Sequence, residues 1–312
     1  MTVVAEVASA ADWRADQLAH SDRWRFPLTD THRAEVLAAL DRVESAGTPL
    51  GDISRDSFPL PTLGTELARL AAEVTAGRGF TLLRGVPVDG RTERQREILG
   101  VGIGSHFGTV VGQGPEQVTA MHVRDEGADP ERPTTRSYQH SRPLGFHADP
   151  TDAVALLCVR PARSGGLSSI VSSVAVHNEV VRTRPHLAEL LYQPWWHDRR
   201  TGDGPDSFVQ RPVYTVDGRG RLRTHYGPDY IRSAQRGAHV PPLTPAQLDA
   251  MAALDRLNQD PRFMLTMDLR AGDMQLLNNA VILHSRTAYQ DHPEPERRRH
   301  LIRLWLDTGR PA

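Results

Sequence analysis

The chain has 312 residues, a hydrophobic fraction of 39% and a formal net charge of −1 with a pI near 6.9. That is enough apolar material for one large domain or two ordinary ones, and the balanced charge gives no reason to expect nucleic acid or an anionic membrane as a partner. All 37 basic residues are arginine and lysine is absent, which excludes Schiff-base chemistry, pyridoxal phosphate anchoring and a phosphate-loop lysine.

The single cysteine, Cys158, sits in the apolar run AVALLCV. It excludes an internal disulfide and a cysteine-based zinc cluster, and reads as a buried, inert thiol. The opening stretch MTVVAEVASAADWRAD carries acids where a signal peptide needs positive charge. No apolar run approaches the length of a membrane span. The expectation is a soluble, cytoplasmic protein with no membrane partner; a homo-oligomer stays open.

In chain order, helices come first. Asp30 can cap a helix carrying Val36, Leu37, Leu40 and Val43 and ended by Gly47. Leu63, Leu67, Leu70 and Val74 repeat at helical spacing up to Gly77. GFTLLRG reads as a short buried strand, and RTERQREILGVGIGSHFG as another helix. Residues 124–143 are polar, proline-bearing and aperiodic, a long loop. GFHAD, the strand AVALLCV and the strand SSIVSS follow, then helical SVAVHNEVVRTR and HLAELLYQ, then a second polar loop, HDRRTGDGPDSFVQRP. VYTVDGRGRLRTHY is a hairpin signal around Asp217 and Gly218. TPAQLDAMAALDRL is a helix opened by a capping box of Thr244 and Gln247 with proline at its first turn. RFMLTMDL, DMQLLNN, AVILH and RHLIRLWL close the chain as strands. Short strands around a helical interruption predict a closed or double-sheet β architecture with helices outside, in one domain.

Four histidines precede an acid by two positions: His20/Asp22, His147/Asp149, His177/Glu179 and His292/Glu294. In an extended chain such residues share a face, so each pair could begin a metal site. His177/Glu179 lies in a helical pattern, where the two side chains diverge by about 200°. His292/Glu294 brackets a proline in an unframed loop, and His20/Asp22 precedes any strand. Only His147/Asp149 stands where a loop enters a core strand, the place where sites are usually built. A third ligand is available in His284, at the end of AVILH. Two histidines and one carboxylate on one face leave open positions that favour non-haem Fe(II) doing oxygen chemistry. On its own, GFHAD reads equally well as a satisfied polar pair.

RRRHLIRLWL adds weight. At period two, Arg299, Leu301, Arg303 and Trp305 share one face, and His300, Ile302, Leu304 and Leu306 the other. Arginines in a buried strand need anions beside them. These are either core carboxylates or the carboxylate of a bound molecule, for which arginine is the natural grip.

The ordered set GFHADPTD, RPARSGGLSSIVSS and GDMQLLNNAVILHSRTAYQDHPEPERRRHLIRLWL resembles the Fe(II)/2-oxoglutarate-dependent dioxygenases of the taurine dioxygenase (TauD/TfdA-like) superfamily, clavaminate synthase-like group. The resemblance covers roughly residues 79–306. It implies a double-stranded β-helix (jelly roll, cupin-like) core over about 79–312, with a helical part over about 1–78, in a single catalytic domain. It implies His147, Asp149 and His284 as iron ligands and Arg299 as the grip on the distal carboxylate of 2-oxoglutarate. Ser168 takes the hydroxyl position that often touches the cosubstrate. Arg303 takes the position that often meets an anionic substrate group or supports the cosubstrate site. The cofactors implied are Fe(II), 2-oxoglutarate and O2. The reaction implied is hydroxylation of an unactivated C–H bond of a small polar or anionic substrate, an amino acid or a natural-product intermediate, with release of succinate and CO2. Desaturation, cyclisation or epimerisation would use the same residues. Asp149 argues against halogenation, because related halogenases replace this carboxylate with a small residue. Two other classes remain as alternatives, a cupin-like metal protein without oxygen activation and a catalytically silent binding relative. Residues 124–143 and the HDRRTGDGPDSF loop are candidate lids. Asn278 and Asn279 read as turn-formers or as partners that orient the ligands, and Trp195 and Trp196 as pocket or packing residues.

Overall fold

A computed structural model describes residues 4–309 apart from residues 20, 130, 131, 133, 134 and 203. His20 of the first His/acid pair therefore lies outside the described residues, as do parts of both polar loops.

Two sheets face each other. The larger runs in the order Arg25–Pro27, Phe80–Arg84, Met274–Asn278, Ala153–Arg160, His300–Asp307 and Thr109–Val111, with Met121–Val123 also paired to His300–Asp307. The smaller runs Leu265–Met267, Ser168–Ser172, Ile282–Arg286 and Leu144–His147. Every pairing in these two sheets is antiparallel except Arg25–Pro27 with Phe80–Arg84. This is the jelly-roll architecture expected from the sequence.

Period-two alternation sorts each strand into an inner and an outer face. On Ala153–Arg160, Ala153, Ala155, Leu157 and Val159 pack with the helices Asp30–Ala46, Leu63–Thr75 and Glu93–Gly104. Val154 and Cys158 point the other way, into the space between the sheets, with Phe80, Leu82, Ile170, Leu277, Ile282 and Leu301. On the smaller sheet, Phe146, Val171 and Leu283 pack outward against Ser173–Thr183, Pro185–Leu191 and Pro245–Asn258. Ile282 therefore faces inward, and His284 and Arg286 share its face.

Local chemistry explains most boundaries. Gly47 ends the Asp30–Ala46 helix in the left-handed region at φ 62. The Thr244–Gln247 capping box opens Pro245–Asn258 as the sequence predicts. The cap of the Asp30–Ala46 helix differs from the expectation. Thr29 caps it, its hydroxyl accepting from the His32 backbone N–H while its own N–H donates to the His32 ring. Asp30 instead occupies the first turn, where an acid suits the helix dipole. The second polar loop is also shorter than expected. Trp195–Asp198 and Phe208–Arg211 pair as an antiparallel ribbon, so only residues 199–207 connect them. Four-residue strands are too short to show periodicity in the sequence. Trp195 is core, with its indole N–H donated to the Leu190 carbonyl. Among the described residues, no helix is long and apolar enough to cross a membrane.

Candidate metal centre

The fold brings His147, Asp149 and His284 together. His147 ends the Leu144–His147 strand and is the cross-strand partner of His284. Their rings lie 4.2 Å apart, and His147 Nε2 is 3.7 Å from Asp149 Oδ1. One ligand atom from each of the three lies within 4.8 Å of the others, and all three residues are buried. His147 Nδ1 is 2.9 Å from the Gly145 carbonyl. A carbonyl only accepts, so Nδ1 carries the proton and Nε2 presents its lone pair to the cluster.

Charge is arranged to keep the donors in ligand form. Burial would push the Asp149 carboxyl up, but Arg303, His284, His147 and the Trp305 N–H outweigh it and hold it at about 2. Burial and the neighbouring His147 push His284 down to about 3. A carboxylate beside two imidazoles is the donor set of a divalent transition metal. His284 Nδ1 is buried with no hydrogen-bond partner among the described residues.

Asp149 is held from several sides. Trp305 Nε1 donates to Oδ2 at 3.0 Å, and Arg303 Nη1 is 3.4 Å from the same oxygen. Arg303 is itself steadied by Gln113, whose Oε1 accepts from Arg303 Nε at 2.9 Å and whose Nε2 donates to the Arg303 carbonyl at 2.9 Å. The Asp149 backbone N–H donates to Asn279 Oδ1 at 3.0 Å, and Asn279 Nδ2 donates to the Thr151 carbonyl at 3.1 Å. Asn279 thus clamps the turn that carries the ligand. Asn278 instead donates to the Val74 carbonyl and ties the sheet to an outer helix. Trp305, Gln113 and Asn279 could be placed only with the fold in hand, since each acts across the gap or between distant segments.

The other expected residues lie between the sheets as well. The Ser168 hydroxyl donates to Gln275 Oε1 at 3.0 Å across the gap. Arg299 is buried, with its guanidinium carbon 5.0 Å from the Tyr289 ring centroid. The Gly165–Gly166 turn makes room for it. Both glycines have positive φ (74 and 70), and a Cβ on Gly166 would lie 3.1 Å from Arg299 Nε. Burial lowers the Arg299 pKa, yet no carboxylate among the described residues forms an ion pair with it, and its Nη1 has no hydrogen-bond partner. A buried cation in that position is strongly disfavoured without an anion, so the pocket fits the carboxylate of a bound molecule.

The rival pairs are spoken for. His177 bonds to Tyr192 Oη and Asn178 Oδ1, and Glu179 pairs with Arg14 and Arg182. Glu294 pairs with Arg297. A second cluster, Glu93, His122 and His300, lies on the outer side of the larger sheet, with the Arg124 guanidinium among the three. Cys158 is buried, its thiol pushed up to about 12 by burial. The two polar loops meet: Arg200 Nη1 donates to the Thr135 carbonyl at 2.7 Å, and Arg136 Nη2 to the Arg200 carbonyl at 3.4 Å.

Comparison with known proteins agrees with this geometry. FR-33289 synthase of Streptomyces rubellomurinus is 29% identical over 315 residues, spanning 97% of this chain and 90% of its own. A uridine-5'-phosphate dioxygenase of an Amycolatopsis species is 32% identical over 159 residues, 50% of this chain and 56% of that protein. An asparagine oxygenase solved with Fe(II), 2S,3S-3-hydroxyasparagine and succinate superposes with a TM-score of 0.70 at 19% identity, covering 92% of this chain and 94% of its own. At that identity the likeness speaks for the fold. The family described as taurine catabolism dioxygenase TauD, TfdA family matches residues 46–305. The chain belongs to that family.

Proposed function

We propose that this protein is a non-haem Fe(II)- and 2-oxoglutarate-dependent dioxygenase that hydroxylates an unactivated C–H bond of a small anionic or amino-acid substrate. The observation that carries the reading is the combination of a buried His147–Asp149–His284 cluster with a buried Arg299 whose guanidinium forms no ion pair among the described residues. A metal protein without a dicarboxylate cosubstrate has no use for the second feature. In this reading the helical part and the jelly roll work as one catalytic domain.

When bound, iron supplies the activation of O2, coupled to conversion of 2-oxoglutarate to succinate and CO2. The residues do the rest. His147 Nε2, Asp149 and His284 hold the metal. Trp305 and Arg303 turn Asp149 Oδ2 toward the larger sheet, which leaves Oδ1 on the histidine side. Arg299 receives the distal carboxylate of the cosubstrate beside Gly166, with the Ser168–Gln275 pair in the wall. Arg303 is the cation nearest the ligand carboxylate and the candidate contact for an anionic substrate group. The substrate class draws on two relatives, one named for uridine-5'-phosphate and one solved with a hydroxylated asparagine.

The test is anaerobic addition of Fe(II) and 2-oxoglutarate, followed by visible absorption. A weak charge-transfer band is expected in the wild type and its loss in His147→Ala. With substrate and O2, succinate should form in the wild type and in His177→Ala but not in His147→Ala. No band in the wild type, or succinate formation independent of His147, refutes the reading.

A further inference from the structure

One inward-facing cation has no part in the reading above. Arg286 lies two residues beyond His284 on the inner face of the same strand, and its cross-strand partner is Ser168. It is buried. Its guanidinium carbon is 4.8 Å from the Tyr289 ring centroid, and that of Arg299 is 5.0 Å from the same centroid. Two guanidiniums thus flank one ring in a buried space. Neither forms an ion pair among the described residues, and each keeps one N–H without a hydrogen-bond partner, Nε on Arg286 and Nη1 on Arg299. Two buried like charges beside one ring repel, and burying them is unfavourable without an anion. Arg286 Nη2 is already committed, donating to the carbonyls of His140 at 2.8 Å and Arg142 at 2.6 Å. Those two bonds fix the guanidinium and leave its Nε–H without a partner.

We propose that Arg286 is a second guanidinium of the cosubstrate pocket, joining Arg299 in taking the distal carboxylate of 2-oxoglutarate. Its grip on His140 and Arg142 then links an occupied pocket to the segment that leads into His147. The inference rests on the cosubstrate assignment of the preceding subsection. It adds a reader of the distal charge that also anchors the loop.

A loop anchor alone and a charge reader make different demands on ligands. The test is calorimetric binding, under anaerobic conditions with Fe(II), of 2-oxoglutarate and of 2-oxopentanoate, which keeps the keto acid end and lacks the distal carboxylate. Wild type should prefer 2-oxoglutarate strongly. Arg286→Met should shrink that preference by about 10–100-fold, the scale of a charge-assisted hydrogen bond, while 2-oxopentanoate binds as in wild type. Arg286→Lys keeps the charge and should retain most of the preference; it serves as the readable variant if the Met protein does not fold, with a loss of about 3–10-fold expected. Equal weakening of both ligands, or an unchanged preference in either variant, overturns the proposal. If Arg299→Met collapses the preference and Arg286→Met does not, the cosubstrate assignment stands and this proposal alone fails. If wild type shows no preference for 2-oxoglutarate, both fail.

Discussion

Asn279 is 2% exposed and makes two side-chain hydrogen bonds, one accepted from the Asp149 N–H at 3.0 Å and one donated to the Thr151 carbonyl at 3.1 Å. Asn279→Ala removes both and leaves a donor and an acceptor without partners in a buried turn. Each orphaned group costs about 1–3 kcal/mol, so the variant should lose about 2–6 kcal/mol of stability. The same turn carries Asp149, the proposed metal ligand, and loss of a group that orients a ligand typically weakens metal binding by about 10–100-fold. Asn278→Ala is the matched control. It loses bonds to the Val74 and Thr75 carbonyls at 3.1 and 3.5 Å, which tie the sheet to a helix, and one from the Ala280 N–H at 3.0 Å within its own turn, but none to Asp149 or Thr151. Urea unfolding of the metal-free proteins should show both variants with lower midpoints and wild-type slopes. Fe(II) titration should show weakened affinity in Asn279→Ala only. The reasoning is wrong if both variants bind metal as wild type does, or if both weaken alike.

Other outcomes follow from single contacts. Trp305→Phe keeps an aromatic ring, though a smaller one, and removes the N–H donated to Asp149 Oδ2; Fe(II) affinity should fall about tenfold, and unchanged affinity would sink the assignment. Gly165 has φ 74, and a Cβ there would lie 2.2 Å from the Ala288 carbonyl oxygen. Gly165→Ala should therefore destabilise by at least about 1–3 kcal/mol in denaturant melts, and a wild-type midpoint would show that the turn is not constrained. Burial, then Arg211, Arg223 and His197, push His225 from its ordinary 6.5 down to about 4. The unfolded chain binds the extra proton first, so this contribution is intact above pH 6.5 and is lost as pH falls through about 4. Urea midpoints should drop between pH 7 and pH 4.5, and less so in His225→Gln; parallel profiles would refute it.

How much of this was legible in the sequence depended on the range of the interaction. The His147/Asp149 pair and the inward phase of His284 follow from period-two alternation within single strands, and a buried arginine strand follows from its apolar neighbours. The partners do not. Asn279 reaches Asp149 across 130 residues, Trp305 across 156, and Ser168 reaches Gln275 across 107. Strand pairing sets these contacts, and no local pattern encodes them. The expectation that inward arginines need anions shows the same division. Its physical premise holds for each of them, but only the assembled sheets show how it is met. Arg303 finds its anion in Asp149. Arg286 and Arg299, at opposite ends of the segment that carries Tyr289, form no side-chain ion pair among the described residues, although Asp291 accepts from the Arg299 backbone N–H. In the proposed reading, that unequal treatment of three arginines separates a cation that orients the Asp149 carboxylate from a pair left to receive a small dicarboxylate.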